Sequence, residues 1–410
     1  MVLNYIWIAL FIITFIVCCV SSFFGGDYDI WTRVMNASFA SAGNAFEISI
    51  GLTGILALWM GLMKIGEEGG VIRLFGRLVS PLFVRLFPGI PKGHPAMGSI
   101  FMNVSANMLG LDNAATPLGL KAMKQLQELN PKKDTATDAM IMFLVLNASG
   151  LCFIPIGIIM YRAQAGAVNP SDVFMPILLA TFISTLVGII SLCIKQRIKL
   201  KDPILLSWLF GLGLIIAAFV YVFGSLPPEK VDLYSSFASN FILFSVIILF
   251  LIFGLRKKIN MYAAFIEGAK DGFRTAVTII PYLVAILVAI GMFRACGAMG
   301  MFAESLKALI GGVGLDTAWV EAVPTAIMKP LSGSGSRAMM VDLMNTYGAD
   351  SFISRVSAAI QGSTDTMFYV IAVYFGAVGV KYTRYAVSYA LIADITGTIA
   401  GIFAAYIFFG

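Results

Sequence analysis

The sequence predicts an all-α polytopic membrane protein, built as an inverted repeat with two re-entrant hairpins and two interrupted transmembrane helices. Three observations lead to this prediction: composition, a series of long apolar runs, and an order of elements that occurs twice. Of 410 residues, 59% are hydrophobic and only 12% are charged, whereas soluble domains are about a quarter charged. A chain of this length has room for about ten membrane spans.

Nine apolar runs are long enough to be full spans. They cover residues 3–24, 42–63, 136–161, 173–194, 204–224, 237–256, 275–296, 352–376 and 383–409. The first run lacks a basic leading region and a small-residue cleavage site, so we expect a retained span and not a signal peptide.

The basic residues between the runs predict the orientation. Lys195, Arg197 and Lys199 lie in one loop, and residues 256–258 form a basic cluster in another. Both loops are therefore predicted to be cytoplasmic, and the loop 225–236 between them to be outside. Counting outward places the N-terminus inside and the C-terminus outside, in a bacterial cytoplasmic (inner) membrane. The net charge of +6 then reflects cytoplasmic loops and does not indicate nucleic-acid binding.

Two segments, 95–130 and 317–347, are too broken to span. Each consists of two short, half-apolar helices around a centre of small polar residues, which is the pattern expected of a hairpin that enters the membrane and leaves on the same side. The stretch 71–87 has an apolar face opposite its arginines and is predicted to lie along the cytoplasmic interface.

The chain resembles itself. "GLMKIGEEGG" (61–70) is similar to "GMFRACGAMG" (291–300), and "IFMNVSAN" (100–107) is similar to "IMKPLSGS" (327–334). Around these similar segments, both halves follow the same order of elements: span, interfacial stretch, hairpin, interrupted span and plain span.

Topology predicts that the two copies are inverted. From span 42–63 to span 275–296 the chain crosses the membrane five times, and an odd number reverses orientation. We therefore divide the chain into a first repeat (1–200), two linking helices (201–258) and a second, inverted repeat (259–410). Secondary transporters often have this architecture, with the substrate site at the repeat interface.

Four polar breaks interrupt the apolar pattern, at 103–116, 147–150, 332–336 and 361–366. Irregular backbone persists within a bilayer only where it is packed in protein or lines a wet cavity. Half-helix N-termini at such breaks could point N–H groups at a polar or anionic ligand. The predicted substrate-binding residues are Asn103, Ser105, Asn107, Asn147, Ser149, Ser332, Ser334, Ser336, Gln361, Ser363, Thr364 and Asp365. The alternative is that Gly and Ser merely allow close helix packing.

Charged residues within the apolar segments are the next signal. Asp394, Glu47 and Asp365 are the candidates for coupling to Na⁺ or H⁺, since carboxylates within spans are costly and usually functional. A structural pair with Lys or Arg from a neighbouring helix is the other explanation. Lys329 and Arg337 flank the second hairpin tip, where they would attract an anion or extend towards the interface.

Enzymatic and metal-binding functions are disfavoured. Five cysteines lie in apolar segments without a C-x-x-C pair, and His94 is the only histidine, so neither a disulfide framework nor a metal site is predicted. A Ser334–His94 hydrolase fails because the two residues are predicted to approach from opposite faces. We expect no enzyme activity and no cofactor.

Long motifs resemble a known family. "KGHPAMGSIFMNVSANMLGLDNAATPLGLKAM" and "LVLNASG" in the first half resemble spore maturation protein A, and "MKPLSGSGSRAMMVDL" and "QGSTDTMFYVIAVYFGAVG" in the second half resemble spore maturation protein B. Both belong to the nucleoside recognition, or Gate-domain, group, which includes concentrative nucleoside transporters. The resemblance implies two hairpins and two unwound helices around a central site.

The function expected from the residues and the resemblance is ion-coupled secondary transport of a small polar or anionic solute, nucleoside-like or another metabolite. The alternative is a non-transporting membrane scaffold, or a metabolite-binding component of an envelope or spore-maturation complex. The expected partners are the solute and the lipid bilayer, and a homo-oligomer is compatible with the sequence.

Overall fold

The computed structural model describes residues 2–91, 93–110, 112–199, 202–312, 314 and 316–410. Over these residues the chain forms seventeen α-helices, one 3-10 turn and no strand. The predicted boundary between the first repeat and the linking helices, at 200–201, lies outside the described residues.

The helices follow one another closely along the chain. Their bounds are α1 Val2–Gly25, α2 Ile30–Gly69, α3 Val71–Leu86, α4 Pro95–Met108, α5 Asp112–Glu128, α6 Asp138–Ala148, α7 Ile156–Gln164, α8 Phe174–Lys195, α9 Pro203–Gly224, α10 Pro228–Lys257, α11 Met261–Ala295, α12 Ala298–Gly311, α13 Val323–Met328, α14 Gly333–Tyr347, α15 Phe352–Gly362, α16 Met367–Gly376 and α17 Ala386–Phe409.

Seven helices, α1, α2, α8, α9, α10, α11 and α17, are long and apolar enough to cross a membrane. The protein is thus a multi-pass membrane protein. The helix α2 has 40 residues and α11 has 35, so both extend well beyond the predicted runs 42–63 and 275–296. Their additional turns carry charged residues such as Arg33 and Lys270, so a hydropathy profile does not recognise these turns as part of the helices.

The other two predicted spans are each divided into two short helices. Residues 149–155 separate α6 from α7, and residues 363–366 separate α15 from α16. The first interruption contains Gly150 at a φ of 64°, a left-handed conformation that favours glycine. Helix breaks occur in both runs, but the predicted bounds 147–150 and 361–366 are only partly right, because α6 continues to Ala148, α15 continues to Gly362, and the first break extends to residue 155.

Two helical hairpins lie where the sequence predicted them. One is formed by α4 and α5, and the other by α13 and α14. The predicted interruption at 103–116 is wrong in its extent, because α4 continues unbroken through Asn103 and Asn107. The described non-helical residues of this tip are 109–110, with Gly110 at a φ of 71°. The helix persists because these asparagines bond neighbouring elements through their side chains and leave their own main chain helical.

The helices α2 and α11 pack against each other along much of their length. A Cβ on Gly268 would lie 2.3 Å from the carbonyl oxygen of Met60, and one on Gly291 would lie 2.1 Å from Ser41 Oγ. Because later residues of α11 meet earlier residues of α2, the two helices run antiparallel. Glycine permits this close approach in membrane helices.

The helices α8 and α17 form a second antiparallel pair. Ser184 Oγ donates a hydrogen bond to the carbonyl oxygen of Ala393 at 2.8 Å. A Cβ on Gly188 would lie 3.4 Å from the Cβ of Ala393, and one on Gly397 would lie 3.1 Å from the Cβ of Ser184. This pair supports the two broken helices that form the candidate site.

Loops from the two halves meet at both ends of the bundle. At one end, Arg384 donates to Asp138 at 2.7 Å. At the other, Arg162 donates to Asp350 at 3.0 Å. These ends contain the loops predicted to be cytoplasmic and external, respectively.

Candidate functional site

The two helix breaks meet through their main chains. In a continuous helix the N–H of Asp365 would bond the carbonyl of Gln361, four residues earlier; here it donates to the carbonyl oxygen of Ala148 at 3.0 Å. A Cβ on Gly150 would lie 2.6 Å from the carbonyl carbon of Thr364. The N–H that the second break frees is therefore bonded to a carbonyl that the first break frees.

The second hairpin tip packs against the second break. Ser336 is fully buried and donates to the side-chain oxygen of Gln361. Ser332 caps α14 by accepting the N–H of Gly335 at 3.0 Å, and its hydroxyl lies 3.2 Å from that of Ser334. The predicted break at 332–336 is wrong in its extent, because Ser332 caps the helix and α14 already begins at Gly333.

The second break also contacts α17. Thr364 donates a hydrogen bond to Asp394 Oδ1 at 2.7 Å, and both side chains are buried. Ser363 is buried and bonds the main chain of its own helix at 2.8 Å. The carboxylate of Asp365 is exposed and accepts the N–H of Thr366 at 2.6 Å. The structure therefore separates Asp394, enclosed behind the break, from Asp365, which is accessible.

The first hairpin contributes amide groups. Asn107 donates to Asn147 Oδ1 at 2.7 Å. Asn103 is fully buried and donates to the carbonyl of Ala115 at 2.8 Å, while its Oδ1 has no hydrogen-bond partner. Ser105 Oγ is also buried without a partner and lies 3.5 Å from the position of a Cβ on Gly76, so Ser105 faces α3 and not the breaks.

Two further residues complete the first break, and sequence reasoning missed both. The hydroxyl of Tyr374 donates to Asn147 Oδ1 and accepts from Asn103, each at 3.3 Å. Thr185 donates to Ser149 Oγ at 3.1 Å. Tyr374 and Thr185 lie in otherwise apolar helices that contain other hydroxyl residues, such as Tyr369 and Ser184, and nothing in the local sequence indicates which hydroxyls reach the break.

Each hairpin tip accepts a main-chain hydrogen bond from a residue in a break or just after one. Phe153 donates its N–H to the carbonyl of Met108 at 2.7 Å, and Phe368 donates its N–H to the carbonyl of Pro330 at 3.0 Å. The two hairpins thus make the same kind of main-chain contact with the two interrupted helices. The result is a continuous chain of contacts from one tip, through both breaks, to the other tip.

The structure places three charged residues singled out in the sequence in three different environments. Lys329 is 4% exposed and its ammonium donates to the carbonyl of Gln361, so it does not extend to the interface. Arg337 is half-buried, and its Nη2 lies 4.0 Å from the position of a Cβ on Gly333, which directs it back along α14 towards the tip. Glu47 is exposed on α2, and the structure does not bring it into contact with the breaks.

The groups that converge here are of the kinds that can hold a polar or anionic ligand. The helices α7, α14 and α16 all begin at the breaks or the second tip, and first-turn N–H groups favour anionic or polar ligands. Asn107 and Asn147 meet at the first break, whereas the second break combines the hydroxyl of Thr364 with the charged groups of Asp394 and Lys329. Among the residues that the structure describes, no three His, Cys, Asp or Glu side chains are grouped to hold a metal ion.

Comparison with known proteins identifies relatives of both halves. A family model described as "Gate: Nucleoside recognition" matches residues 49–166 and 276–381. Each matched segment begins within a long helix, α2 or α11, and runs through one hairpin and one broken helix. The chain is 45% identical to spore maturation protein A of Bacillus subtilis (strain 168) over 157 residues, which are 38% of this chain and 80% of that protein. It is 44% identical to spore maturation protein B of the same organism over 160 residues, which are 39% of this chain and 88% of that protein.

Proposed function

This chain belongs to the Gate, nucleoside recognition, family, which confirms the resemblance predicted from its motifs, and on that premise we propose that it is a secondary transporter. Its solute is small and polar or anionic, either nucleoside-like or another metabolite. The family description and the seven apolar helices support a membrane protein that recognises such a solute.

The proposed architecture is an inverted repeat with re-entrant hairpins. Its support is the antiparallel packing of α2 on α11 and of α8 on α17, because corresponding helices of inverted copies run in opposite directions. Under this proposal the hairpins α4–α5 and α13–α14 enter the membrane from opposite faces. The N-terminus lies inside and the C-terminus outside a bacterial inner membrane, in agreement with the basic loops.

One observation carries the proposal: the N–H of Asp365 bonds the carbonyl of Ala148. Broken helices in a membrane are costly unless they are packed in protein or line a cavity. Here two breaks from opposite halves lie together, and both hairpin tips are attached to them. In transporters built from inverted repeats, the substrate site lies where such interrupted helices meet at the repeat interface.

The proposed substrate contacts are the predicted polar residues at the tips and breaks. Ser334, Asp365 and Arg337 are partly or fully accessible and are the first groups that a solute would meet. Asn107, Asn147 and the buried hydroxyls hold the site in position through the network described above. Ser105, which faces α3, would act on helix packing.

Ion coupling is proposed to use the carboxylates of Asp394 and Asp365. Asp394 is 3% exposed and lies on a spanning helix, where an ionisable group usually has a function. Glu47, exposed on α2, would have to act at a distance from the breaks. We propose no enzymatic activity, because the groups at the site are amides, hydroxyls, carboxylates and the ammonium of Lys329, without a histidine base.

The experiment begins with the purified protein and a thermal-shift screen against nucleosides, nucleotides, amino acids and organic anions, since a bound ligand raises the melting temperature. Any compound that raises it is then tested for uptake into proteoliposomes. Ser336→Ala should abolish the ligand-induced shift and uptake. Ser305→Ala, which removes an exposed hydroxyl bonded within α12, is the matched control and should alter neither.

A non-transporting scaffold is the second candidate, favoured by the names of the relatives, which refer to spore maturation. It predicts that replacing "SGSGS" (332–336) by five alanines leaves the cellular phenotype unchanged while the protein still assembles in the membrane. Loss of uptake with intact membrane assembly would instead support transport. Uptake by the wild type that Ser336→Ala leaves intact would contradict the proposed site.

A further inference from the structure

The buried ammonium of Lys329 lies at the end of a half-helix. It donates to the carbonyl of Gln361, in the last turn of α15. This is the carbonyl that the N–H of Asp365 would bond in an unbroken helix, and that N–H donates to Ala148 instead. The break therefore leaves an acceptor at the negative end of the α15 dipole, where cations are stabilised.

Other oxygen groups surround the same break. Asp394 is buried and accepts a hydrogen bond from Thr364, which follows three residues after Gln361, the residue whose carbonyl accepts the Lys329 ammonium. A carbonyl, a carboxylate and a hydroxyl are oxygen ligands of the kind that alkali and alkaline-earth cations prefer. A buried carboxylate of this kind normally needs a nearby positive charge.

We propose that the ammonium of Lys329 is a built-in cation of this site. It balances the charge of Asp394 and bonds the C-terminal end of α15, so that no sodium ion binds there. Because the ammonium belongs to the chain itself, the site needs no cation from solution. The inference goes beyond the proposed transport, and it narrows ion coupling at this break to protons.

The test compares melting temperatures of the purified full-length protein in sodium chloride and in choline chloride at equal ionic strength. For the wild type we expect the two values to agree within about 1 °C, because the ammonium of Lys329 already holds the cation position at this break and leaves none for sodium. A sodium-specific rise in the wild type would overturn the proposal without any variant.

Lys329→Met removes the charge and retains most of the side-chain volume. In choline chloride its melting temperature should fall by on the order of 5 °C, since an uncompensated carboxylate remains buried. Sodium should restore part of this loss by entering the vacated position. Lys329→Arg, the matched control, keeps a cation there and should show no sodium response.

The double variant Lys329→Met, Asp394→Asn removes the uncompensated charge. It should melt above Lys329→Met in choline chloride and lose the response to sodium. The proposal of a built-in cation is wrong if sodium does not raise the melting temperature of Lys329→Met and the added Asp394→Asn substitution does not raise it either. None of these measurements uses a transported solute, so a failure here is distinguishable from a failure of the proposed transport.

Discussion

The main chain at Gly150 touches the main chain at Thr364: a Cβ on the glycine would lie 2.6 Å from the carbonyl carbon of the threonine. The two residues belong to different helix breaks, in different halves of the protein. This contact leaves no space for a side chain at Gly150. The closeness of the breaks is therefore directly testable by substitution.

Gly150→Ala should destabilise the protein strongly. The left-handed φ of 64° costs an alanine roughly 1–2 kcal/mol, and overpacking against Thr364 adds about 1–3 kcal/mol. Thermal unfolding in detergent measures the loss. Gly166→Ala is the control, because Gly166 has a φ of 79° and nothing within 4 Å of its Cβ position. Equal losses in the two variants would show that the breaks do not touch.

Gly268→Ala should loosen the packing of α2 on α11. Its Cβ would meet the carbonyl of Met60, and such overpacking typically costs about 1–3 kcal/mol. Gly300→Ala, in α12 with open space around its Cβ position, should instead be neutral or stabilising, because alanine favours the helix by up to about 1 kcal/mol. The order of the two melting temperatures decides the prediction, and the reverse order would exclude a close α2–α11 contact.

Arg162→Met should be among the most destabilising single substitutions. Arg162 is 0% exposed and contacts Asp172 at 2.9 Å, which is 1% exposed, so its removal leaves a buried carboxylate short of one partner at a cost of about 3–5 kcal/mol. Asp172 would retain only Arg355, at 2.9 Å.

The matched control for Arg162 is Arg33→Met. It breaks an exposed pair with Asp27 and should change the melting temperature little, since exposed ion pairs contribute little to stability. Similar losses in the two variants would contradict the buried position of Arg162.

Thr364→Val should destabilise the protein by about 1–3 kcal/mol, because Asp394 would lose its hydroxyl donor while remaining buried. Thr364→Ser keeps the hydroxyl and should recover most of this loss. The measurement is again the melting temperature of each purified variant. If valine and serine behave alike, the hydrogen bond between Thr364 and Asp394 does not contribute to stability.

Much of the candidate site could be predicted from the sequence. Gln361 and Ser336 come from separate polar clusters, and the structure places them in direct contact. Polar, glycine-rich stretches are detectable because they contrast with the apolar helices around them. Tyr374 could not be predicted, because the same apolar helix also contains Tyr369, which is exposed, and the sequence does not indicate which tyrosine reaches the break. Ser105 was predicted to line the site and instead faces α3, since residues within one short stretch of helix point in different directions.

The lengths of the helices were likewise predictable only in part from the sequence. Hydropathy located α8 and α17 to within a few residues but underestimated α2 and α11, whose ends extend beyond the apolar segment. In those ends the helix is maintained by backbone hydrogen bonds and by packing of one helix on the other. A hydropathy profile contains neither contribution.

The sequence by itself determined the class of the protein, the approximate positions of its hairpins and helix breaks, and its family, because hydrophobicity, helix-breaking residues and long motifs are local properties of the chain. Only the tertiary structure decided that the N–H of Asp365 pairs with Ala148 and that the ammonium of Lys329 takes the carbonyl of Gln361. A helix break frees a donor and an acceptor without specifying their new partners. In a bilayer those partners must come from whichever part of the chain packs against the break.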